Sequence, residues 1–232
     1  MTVAFVAGAT GFTGSAVVAA LRQQGIVTCA HVRPDTRDLP HWREHFGALG
    51  AEVDTTPWNA AAMTAVLRAT AATHVFCCVG TTAKRMKADG KSENSYEAVD
   101  FALPKLLAEA SVAAGAVRRF VYVSSLGASA RAKGGYLTWR WRAEEAVRAS
   151  GVCYTIARPS VITGARREAR PAEAAIGQVL DGVLELAGVF GATSLRDRYR
   201  STTDVRLAAA LVRTAWAPEA ANQVLSSEAL YR

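Results

Sequence analysis

The sequence predicts an α/β fold built as a doubly wound parallel sheet, and three observations carry the prediction. Short apolar, β-favouring runs alternate along the chain with amphipathic stretches of helical period. One of the runs, residues 73–79 (THVFCCV), is apolar almost throughout, as a strand covered on both faces is. Glycines and prolines stand at the junctions: Gly25, Gly50 and Gly151 follow helical stretches, and Pro34 and Pro159 follow strands. Strands that alternate with helices pair in parallel through right-handed crossovers.

In chain order, residues 2–7 (TVAFVA) are the first strand, and Gly8-Ala9-Thr10-Gly11-Phe12-Thr13-Gly14 follows without a gap. A helix from Ser15 to Gln24 comes next, with Val17, Ala20 and Leu21 at helical spacing and Gly25 as its cap. Residues 26–32 make the second strand, closed by Arg33-Pro34. Leu39, Trp42, Phe46 and Leu49 mark a helical face ending at Gly50, and a short third strand covers 52–55. Asn59 caps a helix over 60–71. The fourth strand, 73–79, ends in Gly80-Thr81-Thr82, and 83–93 reads as a basic surface loop. A helical region spans 94–114, and Pro104 kinks or divides it. The fifth strand, 119–123 (RFVYV), ends in Ser124-Ser125; a helix over 136–149 and a sixth strand over 152–157 follow. Past Ser160 the strand rhythm stops. A basic turn at 165–170, helices near 171–186 and 203–217, and a late strand at 223–226 complete the chain. In open α/β sheets a ligand lies beyond the carboxyl ends of the strands, so 160–202 is expected to cover that crevice. The whole, 1–232, reads as a single domain with a small C-terminal substrate-covering region.

Composition narrows the classes. Half of the 232 residues are hydrophobic, enough for a sizeable core. No apolar run approaches the ~20 residues that span a bilayer, and no basic leader precedes the first strand. A soluble, cytoplasmic protein with no membrane partner is expected. Cys29, Cys77, Cys78 and Cys153 fall in segments read as buried strands and lack CxxC spacing, so neither metal nor disulfide is expected. His41 and His45 share a helix face with no accompanying carboxylate or thiol pattern, and read as a partly exposed helix. The net charge of +7 carries no nucleic-acid motif with it and suits a phosphorylated cofactor and an anionic substrate as well as nucleic acid.

Chemistry concentrates at the predicted strand ends. In the GxxGxxG run, Gly8 permits a sharp turn off the strand. Gly11 leaves bare backbone where a pyrophosphate meets a helix N-terminus, and Gly14 allows close packing. Arg33 at the second strand tip, without an acid beside it, argues for the 2′-phosphate of NADP over the free hydroxyl of NAD. Asp35, beyond the proline, reads as a turn residue. Tyr136 and Arg140 lie one turn apart on one helix face, near the strand end that carries Ser124-Ser125. A tyrosine, a hydroxyl and a cation in one crevice suit carbonyl reduction: proton transfer, oxygen binding and stabilisation of a phenolate.

With GATGFTG, FCCVGTT, VYVSSLGA and RPSVITG in place, the chain resembles the atypical short-chain dehydrogenase/reductases over essentially its whole length. The likeness is to their NAD(P)H-binding, NmrA-like and epimerase-like side, and especially to the Tat-interacting-protein-like oxidoreductases. The resemblance implies a Rossmann-type sheet and an NADP-dependent oxidoreductase acting on a small carbonyl or hydroxyl substrate. It implies that Gly8, Thr10, Gly11, Phe12, Thr13 and Gly14 hold the pyrophosphate and Arg33 the 2′-phosphate. Val79, Gly80 and Thr81 would run along the cofactor, and Arg158, Pro159 and Ser160 would line its nicotinamide side. Ser125 matches the catalytic serine, with Ser124 beside it, and Tyr136 matches the YxxxK tyrosine. Arg140 replaces the lysine, an exchange that is not conservative. It keeps the charge for the ribose hydroxyls, and restoring lysine is expected to raise turnover. Glu144 is expected to pair with Arg140 on the helix surface, and Trp139 and Trp141 to pack toward the cofactor or a neighbouring subunit. Members of this superfamily often pair through helices flanking the sheet, so a homodimer is a partner the resemblance allows. The rival reading is a non-catalytic NADP(H)-binding redox sensor or assembly protein.

Overall fold

A computed structural model describes residues 1–36, 38–81, 96–133, 135–160, 162–163 and 202–231. Seven parallel strands form one sheet in the order β3-β2-β1-β4-β5-β6-β9. They are β1 (Val3–Ala7), β2 (Val27–His31), β3 (Glu52–Asp54), β4 (His74–Cys77), β5 (Arg119–Val123), β6 (Tyr154–Arg158) and β9 (Gln223–Ser226). The order doubles back beside β1, and that reversal is where such sheets open a ligand crevice. A separate parallel pair, β7 (Ile162–Thr163) with β8 (Thr202–Thr203), was not anticipated from the sequence.

Side chains alternate across the central strands, as the period of two requires. Ala4, Val6, Val121 and Val123 face one layer, where they meet α1 (Phe12–Gln23), α2 (Leu39–Ala48) and α6 (Asp204–Trp216). Phe5, Ala7, Phe120 and Tyr122 face the other, which holds α3 (Ala60–Ala69), α4 (Leu103–Ala114) and α5 (Gly135–Ala149). Helix boundaries follow local chemistry. Asn59 Oδ1 accepts the Ala62 N–H at 2.8 Å to start α3, and Thr203 Oγ1 accepts the Arg206 N–H at 3.2 Å to start α6. Gly115, with φ at +81°, ends α4.

Some expectations change. α1 begins at Phe12 rather than Ser15, so the last glycine of the run lies inside the helix. The region expected to be kinked or divided at Pro104 is divided: a π-helical turn, Glu97–Ala102, runs directly into α4, whose second residue is Pro104. Cys29 and Cys77 are buried in strands, and burial pushes both thiols up to about 12. Cys78 and Cys153 are only partly buried and lie just outside β4 and β6. Trp139 packs against Phe101 of the π-helical turn at 5.7 Å, and Arg142 covers its ring at 4.5 Å, so it is occupied within the chain. The basic loop at 83–93 and the covering segment lie outside the described residues, apart from Ser160, Ile162, Thr163 and Thr202.

At the amino edge of the sheet, buried Arg119 directs its guanidinium to Thr155 Oγ1 (2.9 Å) and to the Thr214 and Ala217 carbonyls at the end of α6. Such a cation complements the helix dipole. Beside it His74 stacks on Trp216 with ring centroids 4.2 Å apart.

Candidate active site

Parallel pairing brings four segments to one edge. Ala7 pairs with Cys77, Cys77 with Tyr122, and Val123 with Ala157, so the residues that follow each strand line up side by side. The glycine turn, residues 78–81, Ser124-Ser125 and Arg158–Ser160 therefore share the carboxyl edge of the sheet.

The glycine turn is built from backbone. Gly8 has φ at +77°, and a Cβ there would lie 2.8 Å from the Cys78 carbonyl. A Cβ at Gly14 would overlap the carbonyl oxygen of Gly8, so the start of the helix presses on the turn itself. The Gly11 N–H closes the turn on Gly8 O at 2.9 Å. An α-helix leaves the N–H groups of its first turn without intrahelical acceptors. The N-cap residue here is Gly11, which has no side chain to cap them, and the first turn carries no acid to neutralise the dipole. This cradle fits a diphosphate by the donors it offers. Thr10, Gly11, Phe12 and Thr13 are all partly accessible around it. Arg33 stands two residues past β2 and is exposed, its guanidinium 3.7 Å from exposed Asp35 in a turn that Thr36 N–H closes on Arg33 O. So open a pair holds weakly.

The other half of the edge is built from buried charge. Arg140, read as a cation offered to the crevice, is only 6% exposed. Its Nη2 lies 3.0 Å from Asp100 Oδ1, and its Nη1 reaches Val123 O at 2.8 Å, Val79 O at 3.1 Å and the Tyr122 hydroxyl at 3.2 Å. The Thr81 N–H donates to both Asp100 oxygens, at 3.3 and 3.2 Å. A Cβ on Gly80 would overlap Arg140 Nη2. The glycine is therefore explained by the arginine beneath it. Burial raises the Asp100 carboxyl to about 6, against the pull of Arg140 and the Thr81 N–H. Burial also pulls Arg140 down, but Tyr122, Tyr136 and Asp100 outweigh it and leave the guanidinium well above its ordinary value. It stays a cation. The guanidinium carbon is 5.2 Å from the centre of the Tyr136 ring, so the charge reaches the tyrosine although it is not offered to a ribose. The expectation that lysine here would raise turnover loses its basis, because a lysine has one nitrogen where this site uses two.

Glu144 is likewise corrected. It is fully buried and does not meet Arg140. Arg158 grips it with Nε at 2.8 Å and Nη2 at 2.5 Å, Ser124 Oγ donates at 2.5 Å, and Arg148 adds a contact at 3.2 Å. Ser124 is thus engaged below the crevice, and so is the Arg158 side chain. Ser125 is half-buried at the edge, its hydroxyl donating to Leu126 O at 3.3 Å. Leu126 N–H bonds Pro159 O at 2.9 Å, which ties the Ser125 loop to the exit of β6, and Ser227 Oγ accepts the Ser160 N–H at 2.8 Å. Partly exposed Tyr136 stands in the first turn of α5 with its ring edge-on to Tyr96.

Sequence reasoning missed Asp100 altogether. The signal was present: Asp100, Pro104, Leu107 and Ser111 form a buried stripe, and a carboxylate on such a stripe demands a partner.

The chain and its fold have counterparts among known proteins. A family model described as NAD(P)H-binding matches residues 8–181. The mitochondrial protein fmp52 of Aspergillus niger is 36% identical over 53% of this chain and 50% of its own length. Its Aspergillus fumigatus counterpart is 31% identical over 88% of this chain and 83% of its own length. A protein named ceramide reductase from Caulobacter vibrioides is 33% identical over 68% of this chain and 46% of its own length. The chain thus spans about half the length of the first curated relatives it matches. Among solved structures, a Bacillus halodurans protein described as an NAD-dependent epimerase/dehydratase superposes with a TM-score of 0.68 at 16% identity, covering 100% of this chain and 99% of that one. UDP-N-acetylglucosamine 4-epimerase from Bacillus cereus gives 0.65 at 13% identity, covering 97% and 78%. At such identities these two speak for the fold alone. Among the described residues no helix is long and apolar enough to cross a membrane. A glycine cradle at the head of α1, a seven-stranded parallel sheet and a family match over most of the sequence together place the chain in the NAD(P)H-binding family, on a Rossmann-type fold.

Proposed function

We propose that the protein is an NADP-dependent reductase of the atypical short-chain class, acting on a carbonyl of a small or lipid-like substrate. The observation that carries this reading is Tyr136 at the carboxyl edge of the sheet with a permanent buried cation 5.2 Å from its ring. A nicotinamide dinucleotide, when bound, would be the source of the hydride that reduces the carbonyl carbon. The chain's own residues do the rest. The first turn of α1 holds the diphosphate by its amides, and Arg33 supplies charge for a 2′-phosphate. Ser125 donates to the carbonyl oxygen and Tyr136 gives that oxygen its proton, so that the carbonyl ends as an alcohol. Arg140 favours the phenolate that remains. Val79, Gly80, Thr81, Pro159 and Ser160 form the walls on the nicotinamide side. The ceramide reductase likeness supports carbonyl chemistry.

NADPH consumption over a panel of aldehydes, ketones and long-chain oxo compounds tests the reading. The expected result is turnover that falls by about 10²–10⁴-fold in Tyr136→Phe with the melting temperature unchanged. Turnover unaffected by that change would remove Tyr136 from the mechanism. Arg33→Ala is expected to weaken NADPH about tenfold and leave NADH as it was, since one charged contact is at stake. A wild-type preference for NADH would overturn the role of Arg33.

A second reading has one observation in its favour. Arg140 spends its charge on Asp100 and on strand-end carbonyls, so no cation from this helix position projects toward a ribose. A non-catalytic NADP(H)-binding sensor would show tight NADPH binding and no turnover across the panel. The cytoplasm is our assignment of compartment; the fmp52 relatives are called mitochondrial, and fractionation of the native protein decides between them.

A further inference from the structure

We infer that Asp100 is a positioning residue for the nicotinamide half of the cofactor site, acting through Arg140 and the Thr81 amide. The inference rests on the dinucleotide reading above and adds a residue to it.

The argument is geometric. Asp100 lies in the π-helical turn Glu97–Ala102, an irregularity frequent at functional sites. Its carboxylate is completely buried and reaches two different parts of the crevice wall. One is the Thr81 N–H, just past β4; the other is Arg140 on α5. Arg140 in turn holds the carbonyls of Val79 and Val123, at the ends of adjacent strands. The backbone of Asp100 takes part too, because its carbonyl accepts the Tyr122 hydroxyl at 3.4 Å. The groups facing the guanidinium are thus Asp100 from the π-helical turn, Tyr122 and the Val123 carbonyl from β5, the Val79 carbonyl, and Tyr136 from its own helix. Asp100 is the carboxylate among them.

Two consequences follow from the charge. With Asp100 in place, the guanidinium is held below the strand ends, and the Gly80-Thr81 turn is pulled down onto it. Without that charge, Arg140 keeps its carbonyl partners but loses the anion that fixes its second nitrogen, and the Thr81 N–H has one neutral oxygen to donate to in place of two charged ones. The wall beside a nicotinamide loosens while the cradle at α1, which shares none of these bonds, does not.

The test is a comparison of two ligands on intact protein, by fluorescence and calorimetry. NADPH spans both halves of the site, whereas 2′,5′-ADP reaches only the adenosine half. For Asp100→Asn the expected result is NADPH weakened about tenfold and 2′,5′-ADP held within about twofold, the scale of one lost charged hydrogen bond. Equal weakening of both ligands, or none of either, overturns the inference. Tyr122→Phe removes only the hydroxyl that links Asp100 and Arg140. It is expected to show the same asymmetry at about threefold, and it decides the matter if Asp100→Asn does not fold. Absence of the asymmetry there overturns the inference as well. If the wild-type protein binds neither ligand, the NADP reading fails on its own account. Hydrogen exchange then judges the pin: the Thr81 amide should exchange about tenfold faster in Asp100→Asn than in wild type, with β1 and α1 unchanged. Unchanged exchange at Thr81 rejects it.

Discussion

The two halves of the crevice are made of different material. Around β1 and α1 the candidate site is backbone: a turn at positive φ, a helix start with glycine at its N-cap and an exposed arginine. Around β4, β5 and β6 it stands on two buried carboxylates, Asp100 and Glu144, each gripped by arginine. A backbone site tolerates almost any side chain that leaves its geometry alone. A site resting on buried ions is sensitive to every member, because removing one partner takes away the counter-charge of the other. The contrast says where the molecule is robust and where it is brittle.

The harshest way to break it is at Glu144. Glu144→Ala removes the acceptor shared by Arg158, Arg148 and Ser124 and is expected to cost about 3 kcal/mol in urea unfolding. Thr13→Ala, in the glycine turn, is expected to cost no more than about 0.5 kcal/mol. Similar losses at the two positions would erase the distinction.

Next in size are the tight glycines. Gly14→Ala and Gly80→Ala should each destabilise by about 2–3 kcal/mol through overpacking. The first meets the carbonyl of Gly8, which cannot be trimmed. The second meets the tip of Arg140, which can. Arg140→Lys should therefore return about 1 kcal/mol to Gly80→Ala in a double-mutant cycle and return nothing to Gly14→Ala. Additive costs in both cycles would show that Gly80 is needed for another reason.

The smallest effect sharpens the picture from the opposite edge of the sheet. Burial, with help from Arg119 and Arg118, pushes His74 down to about 4. The unfolded chain binds this proton near pH 6.5 and the folded one does not, so acid favours unfolding. Stability should decline as pH falls from about 6.5 toward 4, and His74→Gln should flatten that limb of a melting-temperature profile. A profile unchanged by the substitution would mean the proton goes elsewhere.

The sequence read well wherever structure depends on local pattern. The strand-turn-helix opening, the Asn59 cap, the fifth and sixth strands and the late strand at 223–226 all follow from period, capping and glycine placement. What failed was pairing across sequence distance. Arg140 and Glu144 stand one turn apart, and the i,i+4 rule favours joining them on a solvated face. Both lie on the buried stripe of α5 with Ala143 and Val147, and each turns to a different strand end. No local rule says which of several buried acids meets which arginine; only the sheet order does. Gly80 shows the same limit, since its glycine serves a side chain sixty positions later.

The short β7–β8 pairing bears on how changes of length are tolerated. Ile162 and Thr202 are partners, so the two ends of the intervening stretch are pinned side by side. Closing such a stretch depends only weakly on its length, at about 0.6 kcal/mol for each doubling. A change in the number of residues between these pinned ends is therefore expected to cost the sheet and its buried ions little.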